Sequence, residues 1–140
     1  NDTDILELFE HARYYNIEAG IALHLDTDPM DFERSIRHAD FVQCMGIEHI
    51  GYQGNPMSED VFDQIDKVLN INPEAIISVD GGVTLDNAEQ LIDAGVARLV
   101  AGSAVFGGNN YGKDDMAHRG HEREFKGGIP RENIEYLQSL

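Results

Sequence analysis

Two short stretches hold the residues whose types and spacing could do chemistry. The first is Ile77-Ser78-Val79-Asp80-Gly81-Gly82-Val83. Side chains alternate along a strand, so Ser78 and Asp80 share one face and Ile77 and Val79 the other. Asp80 then stands at the strand's C-terminal end, before two glycines that let the backbone approach a ligand closely and expose N–H groups. A helix starting near Leu85 directs its positive end at the same place. A carboxylate beside such an anion cradle suits proton abstraction from a sugar phosphate. The plainer alternative is that Asp80 caps a turn and the glycines serve only its geometry, since Asp-Gly is common in turns. The second stretch is Val100-Ala101-Gly102-Ser103-Ala104-Val105-Phe106, a strand, Gly-Ser and a small-residue helix start. It makes a second anion nest, and two neighbouring nests support each other more than either does alone.

Alternating helices and strands must position these groups. Ile5, Leu8, Phe9 and Ala12 fall at i, i+3, i+4 and i+7, the apolar stripe of a surface helix. Gly20 precedes a short strand, Ile21-Ala22-Leu23. Asp28-Pro29 opens a second helix that runs through Phe32 and Ile36 to about His38. Residues 41–47 read as a strand, and 48–56 as a loop marked by Gly51 and Gly54. A third helix carries Val61, Phe62, Ile65, Val68 and Leu69, and stops at Asn72-Pro73. Residues 75–79 form a buried strand. A fourth helix uses Ala88, Leu91 and Ile92 and stops at Gly95, and residues 98–101 make the last strand.

Short apolar strands separated by helices imply a parallel sheet built from βαβ units, an α/β fold. If it belongs to a (β/α)₈ TIM barrel, Asp80 lies at the catalytic mouth and the two nests occupy the phosphate-binding strand ends. Such a barrel needs eight strands over roughly 250 residues. The 140 residues here supply four, so the expectation is one domain over 1–140, a half-barrel. Residues 107–130 are polar and aperiodic, so 108–130 reads as a loop insertion or lid. Residues 131–140 read as a closing helix.

Composition narrows the partners. Ten basic residues against 26 acidic ones give a formal charge of −16, which repels nucleic acid and anionic membranes. The same field opposes an anionic substrate, so a phosphate site would depend on locally directed N–H groups. The sequence has no apolar run long enough to span a bilayer, and its acidic start, Asn1-Asp2-Thr3-Asp4, has the wrong charge for a signal or transit peptide. Cys44 is the single cysteine, which excludes an internal disulfide and suits a reducing cytoplasm. It reads as core packing, and the Tyr14-Tyr15 pair as helix packing with wet hydroxyls.

The ordered set Val79-Asp80-Gly81-Gly82-Val83, Asn87, Ala94-Gly95 and Val100-Ala101-Gly102-Ser103-Ala104-Val105-Phe106 resembles the end of the ribulose-phosphate 3-epimerase family. Upstream, Gly20-Ile21-Ala22-Leu23 with Thr27 resembles that family's fifth strand. Met45, with Gly51-Tyr52 beyond it, resembles its sixth strand and glycine-rich phosphate loop. The resemblance covers residues 17–107 and implies the C-terminal half of a ribulose-phosphate-binding barrel. It implies an isomerase that interconverts D-ribulose 5-phosphate and D-xylulose 5-phosphate at C3 through an enediolate. By the same resemblance Asp80 is a general acid/base and a ligand of a divalent metal ion (Zn, Fe, Mn or Co). Gly51, Gly81, Gly82, Gly102 and Ser103 hold phosphate, and Met45 shields the enediolate. The partners implied are a small sugar phosphate and either a second copy or a missing N-terminal half.

The sequence departs from that pattern in places. His49-Ile50-Gly51-Tyr52-Gln53-Gly54 stands where the family has Pro-Gly-Phe-Gly-Gly-Gln, and His24-Leu25 stands for Asn-Pro. The family's other aspartate and both metal histidines belong to strands this chain lacks. His118 and His121, near Asp114 and Asp115, have no third ligand at clear spacing and read as a solvated loop. His49 reads as an exposed loop residue, while His24 at a strand end is either mouth-lining or structural. Two other readings stay open: a non-catalytic phosphate-binding half-barrel or subunit, and another barrel enzyme such as a synthase or decarboxylase. The last wants a lysine at a strand end, and Lys67, Lys113 and Lys126 are not on strands.

Overall fold

The computed structural model describes residues 1–48 and 56–102. Helix α1 spans Asp2–Tyr14. Asn1 caps it, its side-chain oxygen accepting from the N–H groups of Thr3 and Asp4 at 3.0 and 3.1 Å. Asp2 and Asp4 in the first turn and His11 and Arg13 in the last complement the helix dipole. Strand β1 is Gly20–Leu23. Asp28 then accepts from the Met30 N–H at 3.2 Å and starts a 3₁₀ turn, Pro29–Phe32, which leads into α2, Glu33–His38. The rest alternates as expected: β2 Phe41–Met45, α3 Asp60–Ile71, β3 Ile77–Asp80, α4 Leu85–Asp93 and β4 Val96–Val100.

The four strands form one sheet in the order β1-β2-β3-β4, with every neighbouring pair parallel. Strand alternation sorts the side chains into two populations. Ile21, Leu23, Val42, Cys44, Ile77 and Val79 pack with Ile36, Val61, Ile65, Val68 and Leu91 from the helices into one core. The intervening positions turn to the other face and are mostly small, polar or part-exposed. Ala22, Gln43, Ser78 and Arg98 line up in one row across the sheet. Arg98 is exposed, with its guanidinium 5.6 Å from the centre of the Phe41 ring. Among the described residues the helices cover one face only. None of those helices is long and apolar enough to cross a membrane.

Several sequence expectations need correction. Leu8 does not belong to the buried stripe of α1. It is 64% exposed, and Phe9 is the buried residue, with Ile5 and Leu6 partly buried against the core. Tyr14 and Tyr15 do not pack into the core either; both are exposed and meet each other edge to face at 5.1 Å. A periodic stripe gives a helix's apolar side but not which ring or methyl the neighbouring layer reaches. The second helix begins as a 3₁₀ turn, Pro29–Phe32, and continues as an α-helix only over Glu33–His38. The last strand begins at Val96, earlier than residue 98, because Val96 pairs with Ile77 across an irregularity in the ladder. The closing helix over residues 131–140 and the insertion at 108–130 lie outside the described residues.

A part-buried polar link ties α1 to α2. The Asp2 carboxylate accepts from the Ser35 N–H at 2.9 Å and from its hydroxyl, and that hydroxyl holds the Asp2 carboxyl below its ordinary range. The opposite shift occurs at Cys44, where burial pushes the thiol up to about 12.

Two measurements check this packing. Ile65, fully buried, should cost about 3 kcal/mol when changed to Ala, whereas Leu8→Ala should stay within about 0.5 kcal/mol in urea unfolding. The Cys44 thiol should resist a disulfide reagent at pH 8 in the folded chain and react fully once urea unfolds it.

Candidate functional site

The C-terminal ends of the strands make a single row. Met45 pairs with Asp80 and Asp80 pairs with Val100. On β1, Leu23 pairs with Cys44, so His24 continues the row beside Met45. These residues follow the alternation of the open face, so their side chains belong with Ala22, Gln43, Ser78 and Arg98 and not with the core. The Gln43 amide donates to the Met45 thioether at 3.5 Å, a weak bond that bears on the sulfur from the row below.

Close backbone packing shapes the loops above this row. The Gly46 N–H donates to the Asp80 carbonyl at 2.7 Å, and the Gly46 carbonyl accepts from the Ser58 N–H at 2.8 Å. A Cβ on Gly46 would lie 2.2 Å from the Gly81 carbonyl oxygen. Gly81 and Gly82 have φ of 100° and 70°, in the left-handed region that glycine occupies without strain. A Cβ on Gly82 would meet the Met57 backbone at 2.6 Å. Asn87 then braces the turn from within α4: its amide donates to the Gly82 carbonyl at 2.9 Å, and its oxygen accepts from the Thr84 N–H at 2.8 Å. The turn after Asp80 is therefore held at both ends, with the start of α4 following directly.

Four of the residues singled out from the sequence, Met45, Asp80, Gly81 and Gly82, come together here. Gly102 lies just beyond β4 and is exposed. Gly51 and Ser103 fall outside the described residues, as do His49, His118 and His121. Sequence reasoning did not single out Gly46 and Met57, whose backbones pack against Gly81 and Gly82. The only available signal was a glycine directly after Met45, and nothing local reveals that its partner is another glycine from the next strand. Asn87 contributed to the family resemblance, and the structure supplies its physical task.

A divalent metal needs several converging donors. Among the described residues no three of His, Cys, Asp and Glu converge in a way that could hold one. Asp80 by itself does not make a metal site, and the described residues do not fit one.

Sequence comparison bears on this geometry. The sequence model of the ribulose-phosphate 3 epimerase family matches residues 2–106. The chloroplastic ribulose-5-phosphate-3-epimerase of Arabidopsis thaliana is 36% identical, over 67% of this chain and 34% of that protein. The ribulose-phosphate 3-epimerase of Bacillus subtilis is 33% identical, over 65% of this chain and 44% of that one. For the Aquifex aeolicus ribulose-phosphate 3-epimerase the figures are 28%, 64% and 42%. The matched region therefore spans less than half the length of these relatives. A crystal structure of 3-hexulose-6-phosphate synthase superposes with a TM-score of 0.64 at 18% identity, covering 99% of this chain and 56% of that one. A chain of the Pyrococcus furiosus tryptophan synthase complex gives 0.59 at 19%, over 75% and 41%. At such identities the likeness is one of fold, the TIM-barrel type, of which this chain holds a part.

The geometry of the turn can be tested directly. Gly82→Ala combines a left-handed φ with a backbone clash and should lower stability by about 2 kcal/mol or more in urea unfolding. Asn87→Ala, which removes both braces, should cost about 1 kcal/mol.

Proposed function

We propose, since this chain belongs to the ribulose-phosphate 3-epimerase family, that its sheet is the C-terminal half of a barrel that epimerises D-ribulose 5-phosphate and D-xylulose 5-phosphate at C3. The observation that carries the reading is the row of Met45 and Asp80 leading into the Gly81-Gly82 turn. In this reading the Asp80 carboxylate removes the proton from C3, and the electron pair moves into the C2 carbonyl to give an enediolate. Return of a proton to the opposite face gives the epimer. That second proton needs a donor beyond the described residues of this chain. The Met45 thioether lies beside the carboxylate and offers the enediolate a surface that cannot protonate it. The Gly81-Gly82 turn, with Gly51, Gly102 and Ser103, is assigned to the phosphate, where backbone N–H groups and the start of α4 act against the acidic field of the whole chain.

Three further assignments belong to the same reading. The uncovered sheet face calls for a second set of strands, from an N-terminal half or from a second copy. A metal ion at Asp80 would need its other ligands from those strands, so proton transfer is assigned to the carboxylate alone. The setting is a reducing cytoplasm, in keeping with a single buried thiol. The span of less than half a relative favours one alternative, a half-barrel that binds sugar phosphate without turnover.

Exchange of the C3 proton of D-ribulose 5-phosphate with D₂O, followed by proton NMR, separates these readings. Exchange should fall at least about 100-fold in Asp80→Asn. Exchange that requires added N-terminal strands would mean that this chain supplies one acid–base group of a divided site. No exchange in either case sinks the epimerase reading and leaves phosphate binding.

A further inference from the structure

His24 is held more firmly than a histidine at an exposed strand end needs to be. Its carbonyl accepts from the Gln64 amide at 2.7 Å, and the same amide donates to the Thr27 carbonyl at 3.1 Å. Gln64 is buried on α3, so a core side chain fixes the turn from which the imidazole rises. The ring is held as well: Nδ1 is bonded to the Asp26 carboxylate, and Nε2 lies 3.1 Å from the Glu48 carbonyl oxygen. That second contact ties the ring to the segment that follows β2. A carbonyl oxygen only accepts, so the Glu48 contact is a hydrogen bond in the tautomer that carries its proton on Nε2.

Register places this ring opposite Asp80. His24, Met45 and Asp80 are successive members of the terminal row, so His24 and Asp80 stand two strand spacings apart, about 10 Å between Cα atoms. Met45 stands between them in the row, and the spacing leaves room for a planar enediolate with a polar group on either side. The side chain of His24 is 37% exposed and thus accessible from the mouth.

We propose that His24 contacts the substrate: its Nε2–H leaves the Glu48 carbonyl and donates to an oxygen at the reacting end of the sugar phosphate, while Asp26 acts as a positioning residue that keeps the ring aimed. The proposal rests on the epimerase reading and adds to it a donor placed where negative charge would develop on the enediolate oxygens. The group recognised is the carbon skeleton and not the phosphate, because the phosphate is assigned to the glycine turn on the far side of Met45.

The test is an NMR titration of the histidine rings and backbone amides, with His24 assigned through ring-to-backbone correlations. D-ribulose 5-phosphate and inorganic phosphate are added separately. The His24 ring resonances should move saturably with the sugar phosphate and stay in place with inorganic phosphate. His24→Ala should raise the Kd for the sugar phosphate about 2- to 12-fold, the range of one net hydrogen bond, and leave that for inorganic phosphate unchanged. Asp26→Asn should shift the first Kd in the same direction and not the second, a ligand-selective change that a general loss of structure would not produce. The wild-type titration stands even if a variant fails to fold. If the sugar phosphate moves the Gly81 and Gly82 amides but not the His24 ring, the inference is overturned and the epimerase reading survives. If inorganic phosphate moves the His24 ring equally, contact with the carbon skeleton is overturned. If no resonance responds to the sugar phosphate, the functional reading falls together with the inference.

Discussion

Parallel pairing of four short strands, each with alternate side chains turned to opposite faces, is the constraint on which everything else in this molecule depends. Because the helices cover one face, every second residue of each strand must be apolar. Ile21, Leu23, Val42, Cys44, Ile77 and Val79 obey that rule. The intervening positions are thereby released from the core, and they hold Gln43, Met45, Ser78, Asp80 and Arg98. A one-residue slip would exchange the two sets in that strand, and in β3 it would put the Asp80 carboxylate among the valines. The register that builds the core therefore also aligns the terminal row of the site.

The loops above that row are confined by backbone contact and not by side-chain packing. Gly46 touches Gly81, and Gly82 touches the Met57 backbone. The ends of β2 and β3 thus approach more closely than any residue with a Cβ permits. Asn87 secures the turn from the first turn of α4, coupling the helix start to the carboxylate two positions before the braced glycine. On the other side of the row a buried glutamine performs the matching task for the turn after β1. Rigid supports of this kind, placed beneath otherwise open loops, are what a site needs if its groups are to keep their geometry while substrate exchanges.

The family membership and the uncovered face describe one situation from two directions. The chain matches about half or less of its curated relatives' length, and its described helices cover only one side of the sheet. Arg98 is the clearest sign of that incompleteness. Its guanidinium rests on the Phe41 ring on the face that a closed barrel would turn inward, where a cation would need a partner. At the proposed phosphate site, the acidic balance of the chain would make local donors decisive, since only groups within a few ångströms of the ligand can outweigh the long-range field.

The sequence by itself determined the α/β class, the order of the described elements, the helix stops at Asn72-Pro73 and Gly95, and the family. These follow from period, turn chemistry and ordered motifs, all of which are local in the chain. It also placed Asp80 at a strand end beside two glycines, because alternation and glycine geometry act over a few residues. Tertiary structure alone decided the rest. It exposed Leu8 and Tyr14, which a helical stripe cannot distinguish from buried neighbours, and it placed Gly46 against Gly81 and Gln64 beneath His24. It also brought His24, Met45 and Asp80 into one row. Each of those relations joins residues far apart in the chain through strand register, and register is an energy of the whole sheet against its helices that no local segment encodes.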